Sequence, residues 1–268
     1  MPQSLRAPGD DWPSGLDPRT ICLTVDVEWA APVVLDDLRG LFDQHGVKAT
    51  FFVTHAGVKV PGHERGLHPN FRRNGDTYRA LLARHGGSVE RLGEADIFQH
   101  VVATTKSFAP EAKGVRAHSL FYESTLMPVY RAHGIEYECS YQMALVPNLR
   151  PFAKGSGLIG MATYYGDHGD ITEGMTGFDV ARLHLDRPGL KVFDFHPNIV
   201  FLNAGADAQY QATRTFYHDA DRLRAARHAG KGVRTLLLEL LNAIARHRLP
   251  TATAGEVAAA WRGVAPWS

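Results

Sequence analysis

The stretch from residue 20 to residue 54 constrains the fold more than any other part of the chain. Residues 20–27 (TICLTVDV) form a short apolar run of strand type. Residues 31–46 then carry Pro32 near the first turn, apolar side chains at Val34, Leu38, Leu41 and Phe42, and a terminal Gly46. That is the pattern of an amphipathic helix with a glycine stop. Residues 48–54 (KATFFVT) return at once to a strand. Strand, helix and strand in so short a space make a βαβ unit, which implies a parallel sheet.

The alternation continues. Strands are expected over 64–68, 113–117, 135–139, 158–164 and 191–195, and helices over 78–85, 96–108, 123–133, 233–247 and 254–261. The region 142–190 is rich in Gly, Tyr and Asp and yields one strand, 158–164. Residues 1–19, punctuated by Pro2, Pro8, Pro13, Pro18, Gly9 and Gly15, read as an irregular lead-in. No linker or internal repeat divides residues 20–268, so they are expected to form one α/β domain of the (β/α) barrel type. A chain of 268 residues buries enough apolar surface to need no disulfide or metal staple.

Charge and composition exclude other classes. Lys+Arg at 29 against Asp+Glu at 28 leaves a net charge of +1, which offers no footprint for nucleic acid or an anionic membrane. A hydrophobic share of 44% with 21% charged residues excludes a disordered, collagen-like or membrane-spanning chain. Cys22 and Cys139 are far apart and lack metal-ligand spacing. The first residues show no basic start followed by an apolar run, so no signal peptide and a cytoplasmic location are expected.

In barrels of this kind the chemistry sits at the carboxyl ends of the strands. The first strand ends in Asp26 and Glu28, which alternation places on one face. Two adjacent carboxylates repel unless a cation or a shared proton compensates. The following strands end in His55, in His68 (L-H-P-N-F), in Arg116 and His118 (V-R-A-H-S), and in His196 (F-H-P-N-I). Carboxylate and imidazole gathered at one barrel mouth are what a catalytic divalent metal requires. Pro69 and Pro197 hold the preceding histidines extended. Asp194, in the strand before His196, is expected to face away. His45, His85 and His133 each precede a glycine at a helix end and read as C-caps. His228 and His247 read as surface residues.

The segments T-V-D-V-E-W, K-A-T-F-F-V-T, G-L-H-P-N-F, V-R-A-H-S and F-H-P-N-I resemble the successive motifs of the polysaccharide deacetylase (NodB-homology) family of carbohydrate esterases. The variant spelling is similar to a branch found with bacterial O-antigen and surface-glycan biosynthesis. The resemblance runs from about Thr20 to His196 and implies a distorted (β/α) barrel. It also implies a divalent metal ion, zinc first, with cobalt, nickel, manganese or iron as alternatives, and hydrolysis of an N-acetyl group on an amino sugar. On this resemblance Asp26 falls on the general base, Glu28 near the metal carboxylate and His68 on the first metal histidine. Arg116 falls on the arginine that orients the base, and His196 on the general acid.

The family's second metal histidine is replaced by Arg72. His118 is the first substitute as third ligand, with Asp26, His55 and Asn70 as the other candidates; His55 and Asn70 are also candidate lining residues. The family's acidic-tryptophan motif is absent, and Asp167, His168 and Asp170 stand in for it. The implied substrate is a small-molecule or lipid-linked sugar. Phe121, Tyr122 and the stretch 161–165 are either ring-stacking surfaces or plain core. Arg222, Arg224 and Arg227 read either as a solvated helix face or as a contact for a phosphate-bearing handle. Two rival functions are a hydrolase of a non-sugar amide, ureide or N-formyl compound, and a metal-free glycan-binding relic.

Overall fold

The structure, a computed structural model, describes residues 12–84 and 93–264. Seven parallel strands close into a barrel: β1 (Ile21–Asp26), β2 (Ala49–Val53), β3 (Glu64–Leu67), β4 (Gly114–Val115), β5 (Tyr137–Gln142), β7 (Ile159–Gly166) and β8 (Lys191–Phe195). The two-residue β6 (Phe152–Ala153) pairs antiparallel with β7. The spatial order is β5-β4-β3-β2-β1-β8-β7-β6, and pairing of β5 with β7 at Tyr137↔Ile159 closes the ring. Register shifts in the β5–β7 and β7–β8 ladders make the barrel irregular. The expected distorted (β/α) barrel is therefore the observed architecture.

The helices packed around it are α1 (Pro32–Gln44), α2 (Asp76–Arg84), α3 (Glu94–Phe108), α4 (Leu126–Ala132), α5 (Asp167–Glu173), α6 (Pro197–Phe201), α7 (Asp207–Ala212), α8 (Ala220–Ala225), α9 (Val233–His247) and α10 (Ala254–Arg262). Helix α9 has the bounds its periodicity predicts. It buries Val233, Leu236, Leu237, Leu240, Leu241 and Ile244, a stripe of i, i+3, i+4 and i+7 spacing. Helix α1 starts on Pro32 and ends where His45 Nδ1 meets the Leu41 carbonyl at 2.8 Å, followed by Gly46 at φ +64°. His133 likewise caps α4, while His85 lies outside the described residues. Helices α5 to α8 are five to seven residues long, too short for a 3.6-residue period to declare itself.

Strand alternation divides the core. Ile21, Leu23 and Val25 of β1 face the helices, while Cys22 faces the barrel interior with Phe52, Tyr137, Cys139, Ile159, Met161 and Val192. Gly66 and Gly114 leave room for this filling, because a Cβ at either would run into the Phe52 or the Tyr137 ring. Helix α10 closes the amino-terminal end of the barrel with Ala254, Val257 and Ala258. Trp12 packs edge-on against Trp261 there, at 5.5 Å between centroids. The interior filling below Phe52 is mainly apolar, with one polar group of Thr50, Glu64 and Tyr137 hydrogen-bonded together near the floor, and the polar groups of the mouth lie above that ring.

Candidate active site

Arg116 sits directly on this apolar filling, with its guanidinium 4.6 Å from the Phe52 ring centroid and no exposure to solvent. Its Nη1 donates to Asp194 Oδ1 at 2.8 Å and to Asp26 Oδ1 at 3.1 Å. Nε donates to the Cys139 carbonyl at 3.2 Å and Nη2 to Thr163 Oγ1 at 3.3 Å. All three nitrogens are thus engaged, which fixes the plane of the guanidinium. Burial lifts the pKa of Asp194 to about 7, helped by the neighbouring Asp26 carboxylate and only partly offset by Arg116. Asp194 lines the cleft, contrary to the expectation that it faces away. It is two residues from His196, and residues two apart on a strand share a face.

Strand β1 ends at Asp26, and the chain then turns sharply. Glu28 (φ +49°) and Trp29 (φ +56°) both occupy the left-handed region. Such a pair costs on the order of 1–3 kcal/mol per residue unless its surroundings enforce it. Tyr217 Oη donates to the Glu28 carbonyl at 2.7 Å, and the Trp29 N–H donates to Thr54 Oγ1 at 3.2 Å. Glu28 therefore enters the site through a strained turn and not, as alternation suggested, as the next inward residue of the strand.

The turn aims Glu28 Oε1 at two imidazoles. It lies 3.0 Å from His68 Nε2 and 2.6 Å from His118 Nδ1. His68 follows β3 directly, its N–H donating to the Val53 carbonyl at 2.8 Å. His118 opens a 3₁₀ turn, His118–Leu120, in which Ser119 and Leu120 are again left-handed. Trp29 packs edge-on against His118 at 5.5 Å. Burial disfavours the charged carboxylate of Glu28, but the two imidazoles hold its pKa well below the ordinary range. Burial likewise opposes charge on His68, yet Asp26 and Glu28 raise its pKa.

One oxygen and two imidazole nitrogens, all within 4.8 Å of one another, form the N/N/O donor set of a catalytic divalent site. His68 Nδ1 is buried without a hydrogen-bond partner, 3.5 Å from Asp26 Oδ1. That is where a metal-ligating histidine carries its ring proton, turned toward a carboxylate. The residues thus fit a divalent ion.

On the opposite side of Asp26, His196 ends β8. Its backbone is extended before Pro197, at φ −109° and ψ 126°. Asp167, fully buried at the start of α5, accepts from both the His196 N–H and His196 Nδ1, each at 2.7 Å. Among the described residues Nε2 has no hydrogen-bond partner. Burial works against a charged ring, but Asp167, Asp194 and Asp26 hold the His196 pKa well above its usual value. Asp167 thus fills the acidic place assigned to the D-H-G-D stretch. Asp170 is occupied structurally, accepting from Tyr165 Oη at 3.0 Å and from the Thr176 N–H at 2.8 Å. His168 lines the cleft.

The cleft above these groups has a volume of about 440 Å³ and is lined by Asp26, Glu28, His118, Asp194, His196 and Arg72, among others. Two candidate lining residues are not among those that line it. His55 Nδ1 pairs with Thr54 Oγ1 at 2.8 Å, and Asn70 Oδ1 accepts from the Arg72 N–H at 3.0 Å to close a turn. Met161, Tyr164 and Tyr165 are buried core, Phe121 packs on Phe71, and Tyr122 packs on Tyr141. The aromatic side chains near the ligand cluster are instead Trp29, Tyr210, Phe216 and Tyr217.

A seven-stranded parallel barrel with this mouth is the architecture of the polysaccharide deacetylase class. The chain belongs to the WbmS-like polysaccharide deacetylase family, whose model matches residues 23–214. Among solved structures it is similar to a Bordetella bronchiseptica protein, WbmS, described as a candidate polysaccharide deacetylase involved in O-antigen biosynthesis. The two share 27% identity over 83% of this chain and 89% of that one, with a TM-score of 0.70. A candidate polysaccharide deacetylase of Mycobacterium smegmatis shares the fold at 16% identity, covering 94% of each chain with a TM-score of 0.54. No curated protein gives a significant match. Among the described residues no helix is long and apolar enough to cross a membrane.

Proposed function

We propose that residues 20–268 act as one catalytic unit that hydrolyses the amide of an N-acyl amino sugar, with a divalent ion, zinc first, held by Glu28, His68 and His118. The observation that carries this reading is the placement of an oriented carboxylate and an oriented imidazole beside the N/N/O donor set. When bound, such an ion acts as a Lewis acid on water and on an acyl carbonyl.

Asp26 is the general base. Arg116 fixes its Oδ1 at 3.1 Å, while no described group hydrogen-bonds Oδ2. Asp26 therefore takes the proton of the attacking water at Oδ2. His196 is the general acid. Asp167 holds its Nδ1, so the proton delivered to the departing amine leaves from Nε2. Arg116 and Asp167 are positioning residues, since each acts through the group it orients. The barrel's apolar filling below Arg116 excludes water from beneath the pair and strengthens their electrostatic coupling.

Membership of the family and the likeness to the Bordetella protein support a sugar as substrate and a surface-glycan intermediate as its setting. The experiment is acetate release from a panel of N-acetyl amino sugars by zinc- or cobalt-loaded protein, with Asp26→Asn as control. Release by the wild type that is lost in the variant supports the reading. No release from any sugar, or equal release by the variant, refutes it.

A further inference from the structure

A second cleft opens from the ligand cluster. It has a volume of about 820 Å³ and shares Glu28, His118, Tyr210 and Arg214 with the acid–base cleft. Its other walls include Trp29, Phe216, Tyr217 and Arg222. The two clefts thus meet at the ligand cluster, and a substrate with its acyl group there has room to extend both ways.

The far wall is the segment from the 3₁₀ turn Arg214–Phe216 into α8. Tyr217 ties it to the catalytic turn through the Glu28 carbonyl, and Asn198 Nδ2 donates to the Tyr217 carbonyl at 2.8 Å. Asp219 caps α8 by accepting from the Arg222 N–H at 3.1 Å. The wall is therefore a built surface. Of its walls, residues 215–222 lie beyond the segment matched by the family, while Arg214 is the last residue within it.

The arginines of this region divide by position. Arg224 pairs with Asp221 at 3.0 Å, and Arg227 donates to the Phe201 carbonyl at 2.7 Å; neither lines the second cleft. Arg214 and Arg222 do line it, and among the described residues neither guanidinium has an ion-pair or hydrogen-bond partner. The Arg222 guanidinium lies 4.2 Å from the Phe216 ring centroid, which supports its face and leaves its N–H edges open. Unpaired guanidinium edges beside aromatic faces match a ligand with several phosphate oxygens. A neutral glycan uses the aromatic faces and leaves both charges idle.

We infer that this second cleft binds a diphosphate, with Arg214 and Arg222 as its contacts, so that the substrate is an N-acyl amino sugar carried on a diphosphate. The sugar part rests on the deacylase reading above, whereas the anion site does not. The diphosphate belongs either to a nucleotide or to a polyprenyl carrier, and the two share the chemistry that the arginines read.

The test is isothermal titration of the metal-loaded protein with UDP, with farnesyl diphosphate and with an uncharged methyl N-acetylglucosaminide. We expect at least one diphosphate to bind about tenfold or more tighter than the uncharged sugar. Arg214→Ala combined with Arg222→Ala weakens it by at least about tenfold, while Arg224→Ala leaves it unchanged. Tighter binding of UDP assigns the nucleotide source, and tighter binding of farnesyl diphosphate the lipid source. Diphosphate binding that survives in the double variant places the anion on the metal and overturns the inference, as does an uncharged sugar bound equally well. If no sugar is deacylated but arginine-dependent diphosphate binding persists, the deacylase reading fails and the anion site stands. If neutral sugars are deacylated and the diphosphates do not bind, the deacylase reading stands and the inference fails.

Discussion

Asp194 Oδ1 lies 2.8 Å from Arg116 Nη1, closer than the 3.1 Å that separates the same nitrogen from Asp26. One buried cation thus serves two buried carboxylates. Removing it by Arg116→Met leaves both uncompensated, and breaking such a buried pair costs about 3–5 kcal/mol. Urea unfolding should show that loss. Adding Asp194→Asn to the same chain should restore part of it; no recovery would mean that the two carboxylates do not share the arginine energetically.

The raised pKa of Asp194 sets the sign of a pH effect. Its folded value of about 7 lies above an unfolded value of about 3.9. The folded state therefore holds a proton that the unfolded state has released, and this contribution to stability is lost as pH rises from about 4 to about 7. In Asp194→Asn that downward slope should be absent. Unfolding curves taken across this range measure it, and an unchanged slope would assign the proton elsewhere.

His196 shifts in the sense that suits an acid. Its pKa is raised above the unfolded value near 6.5, so its stabilising charge is fully present below that pH and is lost as pH rises through the folded value. The Asp167→Asn variant should lower the His196 pKa and draw the alkaline limb of kcat/KM toward neutrality. A limb that stays in place would separate Asp167 from the acid.

Asp26→Asn should lower kcat by about 10²–10⁴-fold, the usual contribution of a general base, while the metal content stays near that of the wild type. Elemental analysis beside the kinetics separates a lost base from a lost ion. Full activity in the variant would remove Asp26 from that role.

His68→Ala and His118→Ala should each strip the metal, because each removes one donor from a set of three. Metal content of purified protein measures this directly. Loss in His68→Ala alone would return the search for a third ligand to Asp26.

The barrel was legible because its strands and long helices carry their periods openly, as α1, β2 and α9 do. The short helices α5 to α8 carry none, and α5, α7 and α8 contribute to the walls of the two clefts. Within the site, His68, His118 and His196 could be found as strand-end residues, and Asp167 from its acidic segment. Asp194 is equally legible, since alternation places it on one face with His196. Glu28 is legible as the second acid of D-V-E, whereas nothing local announces the two successive left-handed residues that aim it. Tyr217, 189 residues downstream of Glu28, is brought to it only by the closed barrel and the packing of its later helices.

That Tyr217 hydrogen bond fastens a wall of the second cleft to the backbone of Glu28, a member of the proposed ligand set. On the proposed function, selectivity and ion affinity would therefore be linked in this chain. A mutation that displaces Tyr217 while reshaping the wall would also remove a hydrogen bond from the turn that presents Glu28. On that reading, a change of substrate at this wall would call for paired changes, one remodelling the wall and one restoring the turn.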